Sequence, residues 1–280
     1  MPLDPGAYLK ELGSLPDAEI DLAKAAVALG ALTQPGLSTD RYLNHIESLV
    51  EQTRSRYAEL LASGAADDAG ARLAALKRVI VEDNEYKGDV DTYDDLQNAS
   101  LIRVIDRRKG MPISLAILYV HIGHILDWSV AGLDFPGHFL CRIETPGQRI
   151  IFDPFYDSRP LDAANLRALV KHLKGPAAEL SASYFEATPN RGILIRLQNN
   201  IKYRQIDHEA YEAALRTVET MKLIAPHEFR LLLDLGVLYS RTDRTAEAIA
   251  ALEDYIKKAP LASDRHDAAI LLQELKDSED

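Results

Sequence analysis

"RRKGMPISLAILYVHIG", residues 107–123, is the stretch on which the reading of this chain turns. A basic, glycine-closed loop runs into a segment that is apolar nearly all round, and a helix of that kind belongs in a core rather than on a surface. Pro112 suits its first turn, because the ring fixes φ and the missing N–H has no helical partner there. Pro112 thus marks a buried helix over 113–126, with Met111 and Ser114 beside its start.

Downstream the hydrophobic period changes from helical to two. "WSVAGLDF", "HFLCRIE" and "RIIFDPF" are short runs separated by "PG" and "TPGQ", which predicts strands joined by tight turns. Alternation along 138–144 puts His138, Leu140 and Arg142 on one face and Phe139, Cys141 and Ile143 on the other. If "TPGQ" is the turn of a hairpin, Leu140 opposes Asp153, and Asp153 lies diagonally from His138 on the same face. A one-residue slip would undo that pairing.

Upstream the chain reads as helices. Ile20, Ala23, Val27 and Leu29–Leu32 begin a periodic apolar run, and Leu43, Ile46, Leu49, Val50, Tyr57, Leu60 and Leu61 continue it. "SGAADDAG" (63–70) breaks the pattern and "ARLAALKRVIVED" resumes it. "DNEYKGDVDTYDDLQNASL" (83–101) is acidic and rich in Asn, Asp and Gly, so an ordered, solvated loop leading to a helix capped near Asn98 or Ser100 is expected. Its carboxylates lack the spacing of an EF-hand loop.

From about residue 189 the chain is helical again. The segment from Pro226 to Pro260 has a period of 34 residues and carries Leu235, Gly236, Tyr239, Ala248, Leu252 and Tyr255, which resembles the tetratricopeptide pattern. A weaker copy precedes it, with Tyr203, Ala210, Ala213, Ala214 and Leu215, and "DRHDAAILLQELKDSED" is expected to cap the stack.

Three elements therefore follow in order: the helix start at 110–114, "GHFLCR" at 137–142 and "IIFDPF" at 150–155. This order resembles the papain-like transglutaminase core, in which a Cys opens a buried helix, a His begins one strand and an Asp ends the next. "RRKGMPISLAILYVHIG", "DFPGHFLCRIE" and "IFDPF" are in particular similar to the Sir-B type bacterial branch, where the core is followed by tetratricopeptide repeats. The resemblance covers most of residues 15–270 and is specific over 107–155. It implies an α+β fold: a helical plus transglutaminase-like domain over 1–175, then an all-α repeat array over 189–280.

In such a triad the helix dipole and a neighbouring imidazolium favour the thiolate, and the Asp orients the imidazole. His138 and Asp153 match the base and its orienting partner. Aligned with the superfamily pattern, however, Pro112 stands where the nucleophilic Cys belongs. The chain's single cysteine, Cys141, faces away from His138 and reads as a small buried hydrophobe. Ser114 is the alternative hydroxyl, although a serine at a helix start is commonly a cap or first-turn group. The expectation is a noncatalytic protein or peptide binder acting through the repeat groove, in the regulatory role that the family resemblance implies. The rival is a hydrolase or acyltransferase acting on amide bonds, using His138 and Asp153 with Ser114 or water.

Composition narrows the partners. With 280 residues, 47% hydrophobic, 27% charged and a formal net charge of −11, the chain is an ordinary globular protein and a poor candidate for nucleic acid. One cysteine excludes an intrachain disulfide and a cysteine-rich zinc site, which fits a reducing compartment. "MPLDPGAYLKELG" has neither a basic n-region nor an apolar h-region, and no stretch is long and apolar enough to span a bilayer, so a cytoplasmic location is expected. His121 and His124 have a spacing compatible with shared metal ligation but no third ligand in a motif, so neither metal nor cofactor is expected. "DRRKG" (106–110) sets basic residues by a helix start, where an anionic ligand and plain solvation both remain open. Asn98 is read as bracing the cleft or capping the next helix.

Overall fold

The computed structural model describes residues 3–277 and has two compact units: the residues up to Tyr8 with Pro16–Leu197, and Leu9–Leu15 with the chain from Gln198 onward. Helices α1 (Pro5–Leu12), α2 (Leu22–Leu32), α3 (Asp40–Ala62), α4 (Ala69–Lys77) and α5 (Leu101–Arg107) precede the buried helix α6 (Pro112–Ile125). A π-helical turn, Arg78–Asp83, extends α4. Two short strands, β1 (Lys87–Gly88) and β2 (Lys109–Gly110), pair in parallel. An antiparallel sheet of four strands follows in the order β3 (Ser129–Phe135), β4 (His138–Thr145), β5 (Gln148–Asp153) and β6 (Arg159–Leu161). Helix α7 (Ala163–Lys174) comes next.

Helix α6 forms where the uniform hydrophobicity of the sequence required a core helix. Every residue from Pro112 to Gly123 is buried, and Pro112 occupies the first turn behind an extended Met111. It packs against α2, α3, β3 and β4. Contact with β3 is so close at one point that a Cβ on Gly123 would lie 2.4 Å from Val130 Cγ2. The opposite face of the sheet carries Leu133, Phe135 and Leu140 against Leu166 and Val170 of α7. Because the sheet is covered on both faces, β4 has Phe139, Leu140 and Cys141 all buried.

The tight turns fall where glycine allows them. Pro136 and Gly137 (φ +65°) close the β3–β4 hairpin, with Phe135 level with His138. Thr145 pairs with Gln148 across a turn holding Gly147 (φ +81°). Cys141 then pairs with Phe152, which brings Leu140 level with Asp153, as the alternation predicts.

The acidic segment is largely exposed, as a solvated connection should be, but one of its carboxylates is not. Asp89 is 1% exposed and its carboxylate meets Arg107 at 2.6 Å. A buried charge is tolerated only when paired and hydrogen-bonded, and Asp89 meets this with Arg107 and the Thr92 hydroxyl and N–H. Asn98 braces rather than caps: its side-chain amide donates to the carbonyls of Thr92 and Tyr93, and its Oδ1 accepts from Arg107. Ser100 holds the N-cap position of α5 without a side-chain capping bond.

From Asn190 onward the described chain is helical. Helix α8 (Asn190–Asp207) leads into α9 (Tyr211–Ile224), α10 (Arg230–Arg241), α11 (Thr245–Lys258) and α12 (Ala262–Asp277). The small position of the repeat is explained by packing, since a Cβ on Gly236 would fall 2.6 Å from Leu252 Cγ. Leu232, Leu252, Tyr255 and Ala259 form a core with Ala268, the buried residue of the last helix. Lys202, 3% exposed, pairs with Asp234 at 2.7 Å.

Candidate functional site

His138 opens β4 directly after the Pro136–Gly137 turn, and Asp153 ends β5. The register brings their side chains together: His138 Nε2 lies 2.7 Å from Asp153 Oδ2. Asp153 Oδ1 accepts the backbone N–H of Phe155 at 2.9 Å, so both carboxylate oxygens have partners and the group stays in place although it is only 3% exposed. The second ring nitrogen of His138, Nδ1, has no protein partner among the described residues. Tyr156 stacks on the imidazole, with ring centroids 6.4 Å apart.

These residues border open space. A cavity of about 360 Å³ is lined by His138, Val90, Tyr93, Phe155 and Tyr156. Another of about 480 Å³ is lined by Asp153, Tyr156, Arg159, Leu161, Asn165 and His172 among others. Sequence reasoning missed this aromatic wall. Tyr93 lies in a segment read as plain acidic loop, and the only local signal was the "FY" directly after "DP".

The remaining sequence-derived candidates lie elsewhere in the hydrogen-bond network. Ser114 is fully buried and its hydroxyl donates to the Asn98 carbonyl at 2.6 Å. The same carbonyl accepts the N–H of Met111 at 3.2 Å, which ties the start of α6 to the 96–99 turn. Pro112 is buried beside them. Cys141 is buried and free, on the strand face away from His138. Burial first, and then the negative charge of Asp153, push its thiol well above the ordinary range. Arg142, on the His138 face, pairs with Glu144 and donates to the Phe185 carbonyl at 2.5 Å.

The two imidazoles of α6 take different partners. His121 Nδ1 lies 3.3 Å from Asp21, and His124 Nε2 lies 3.1 Å from the Val130 carbonyl. Burial lowers the pKa of His124.

An α+β core in which a buried helix precedes a hairpin carrying a His–Asp pair, followed by helical repeats, defines a class, and comparison with known proteins agrees. Residues 40–199 match the transglutaminase-like superfamily and residues 201–275 a tetratricopeptide repeat. A UPF0162 protein of Xylella fastidiosa strain Temecula1 is 29% identical over 252 residues, 89% of this chain and 88% of its own length. The UPF0162 protein PA3419 of Pseudomonas aeruginosa is 31% identical over 207 residues, covering 73% and 72%. Protein SirB1 of Salmonella typhimurium is 25% identical over 161 residues, covering 57% and 60%. Among solved structures, a crystal structure of menin superposes with a TM-score of 0.37 at 12% identity, over 98% of this chain and 75% of menin, which is too loose to carry an argument. The chain belongs to the transglutaminase-like superfamily, in the SirB-type branch of UPF0162 proteins whose core is followed by tetratricopeptide repeats. No helix among the described residues is long and apolar enough to cross a membrane.

Proposed function

We propose that this protein is a noncatalytic, cytoplasmic transglutaminase-like scaffold that acts in regulation by binding a protein or peptide partner through its repeats. One observation carries the reading: none of the three positions considered for the nucleophile offers an attacking group to His138. Pro112 has no nucleophile, Ser114 donates its hydroxyl proton to the Asn98 carbonyl, and Cys141 is buried on the opposite strand face. A nucleophile must lie within hydrogen-bonding reach of its base to be activated. On this reading His138 and Asp153 persist as a satisfied polar pair that fastens β4 to β5, since an unpartnered buried polar group costs about 1–3 kcal/mol. Tetratricopeptide stacks present extended surfaces to partners, and the repeat unit exposes Tyr203 (57%) and Val237 (38%).

A second reading, a hydrolase or acyltransferase in which His138 activates a water, is favoured by the open Nδ1 and the aromatic cavity around it. One experiment separates the two. The full-length protein is incubated with a glutaminyl peptide and a primary amine, and a partner is captured by crosslinking from native extract and identified. The scaffold reading expects no turnover, with capture retained in His138→Ala and lost in Tyr203→Ser combined with Val237→Ser. Turnover that disappears in His138→Ala refutes it.

A further inference from the structure

Away from the His138–Asp153 pair, the loop that enters α6 builds a second polar site. The parallel pairing of β1 with β2 sets Lys87 level with Lys109, held by the bond from Lys87 N to the Arg108 carbonyl at 3.0 Å. Like charges directly opposite on paired strands are destabilising. A ladder of two residues gives no structural reason for lysine at both places. Lys87 is exposed and has no carboxylate partner among the described residues, while Lys109 pairs with the exposed Asp91 at 3.7 Å and lies within electrostatic reach of Asp89.

Arg108 between them stands in the left-handed region (φ 57°). Its neighbour Arg107 is neutralised by the buried Asp89, but Arg108 has no carboxylate among the described residues. Instead its Nη1 touches the Tyr86 hydroxyl and lies 2.5 Å from His45 Nε2. Tyr86 is 2% exposed and, with its pKa pushed up to about 12 chiefly by burial, keeps its proton. Burial and the Arg108 charge lower the pKa of His45 to about 4, so the imidazole is neutral as well. The two rings hold the guanidinium in position, with its carbon 4.7 Å over the face of Tyr86, and bring no carboxylate to it. Lys87, Arg108 and Lys109 line one cavity of about 450 Å³, with the exposed Glu85 and Asp157 also at its wall.

We propose that this cavity binds the phosphate group of a small molecule, with Arg108 as the oriented fork and Lys87 and Lys109 as flanking charges. A planar guanidinium held by neutral partners at the wall of a cavity suits recognition of an oxyanion, and lysines add point charge. The cavity falls in the range of about 300–1,000 Å³ used by small-molecule sites, larger than phosphate alone fills. Glu85 and Asp157 are placed to accept hydrogen bonds from hydroxyl or amino groups of the rest of the ligand. A formal net charge of −11 opposes a polyanion such as nucleic acid at the same place.

The test is calorimetric titration of the full-length protein with inorganic phosphate and, separately, with AMP, against sodium chloride at matched ionic strength, together with thermal melts. Saturable binding of either probe is expected, weakened roughly tenfold or more in Arg108→Gln, the range for losing a charged hydrogen bond. Tighter binding of AMP assigns the cavity to a phosphate ester, and equal binding assigns it to free phosphate. Lys87→Gln supplies a readout that a purely structural lysine would not: it raises the melting temperature of the unliganded protein by relieving the opposed charges, yet removes most of the rise that phosphate or AMP produces. Lys257→Gln, on the repeat unit, changes neither. The proposal is overturned if neither probe binds beyond the chloride control, or if Arg108→Gln and Lys87→Gln, both still folded by circular dichroism, bind as tightly as wild type.

Discussion

Replacing Asp153 asks whether the His–Asp pair is a structural fastening. Its carboxylate accepts from His138 Nε2 at 2.7 Å and from the Phe155 N–H at 2.9 Å, and its side chain is 5% accessible. Asp153→Ala removes both bonds and leaves the Phe155 N–H, a buried backbone donor, with no acceptor. An orphaned buried donor costs about 1–3 kcal/mol, and a hydrogen bond to a charged group contributes about 1.5–3 kcal/mol. Relief of the carboxylate's own desolvation offsets part of this. The net expectation is a loss of about 2–4 kcal/mol. Asp153→Asn is milder, because the amide oxygen still accepts from Phe155 and the amide N–H meets the unprotonated form of His138 Nε2, so its cost is about 1 kcal/mol. For a unit of this size each kcal/mol moves the midpoint by roughly 2–4 °C, so the Ala variant should melt about 4–16 °C lower and the Asn variant about 2–4 °C lower. Calorimetric melts of the intact chain read this directly. An Ala variant within about 0.5 kcal/mol of wild type, the range of an ordinary surface change, would refute the structural account, and so would an Asn variant as damaged as the Ala one.

Two further predictions follow from the surroundings of single groups. Cys141, buried and with its thiol held protonated, should resist iodoacetamide in the native state and be alkylated only as fast as the chain opens; labelling at the rate of a free thiol contradicts its placement. For His45, ordinarily near 6.5 and lowered to about 4 in the fold, the unfolded chain takes up a proton between those values that the folded chain refuses. Stability is therefore full above about pH 6.5 and falls as pH drops toward about 4, by about 1–2 kcal/mol once solvent screening of the half-buried ring is allowed for. Urea midpoints at pH 7.5 and 4.5 test this: His45→Gln should flatten the difference, and equal slopes for variant and wild type would rule the assignment out.

What could be read in the chain beforehand was whatever short-range geometry controls. Helix α6 announced itself because a run that is apolar nearly all round belongs in a core and because Pro112 suits a first turn. That Asp153 reaches His138 was legible because strand alternation has a period of two and the "TPGQ" turn leaves one sensible register. The repeats showed themselves through recurrent small residues, and Gly236 is small because Leu252 fills the space beside it.

The tertiary structure decided what lies between distant segments. Asp89 looked like one more solvated acid until Arg107, 18 residues on, was placed over it. Tyr93 and Tyr156 form a wall beside His138 only because the 83–101 loop is held against the sheet end. His45 and Arg108, 63 residues apart, have no shared local pattern at all. Periodicity and turn chemistry act over a few residues and leave their mark in the sequence, whereas the pairing of polar groups across a core depends on how whole elements close upon each other, and no local rule records it.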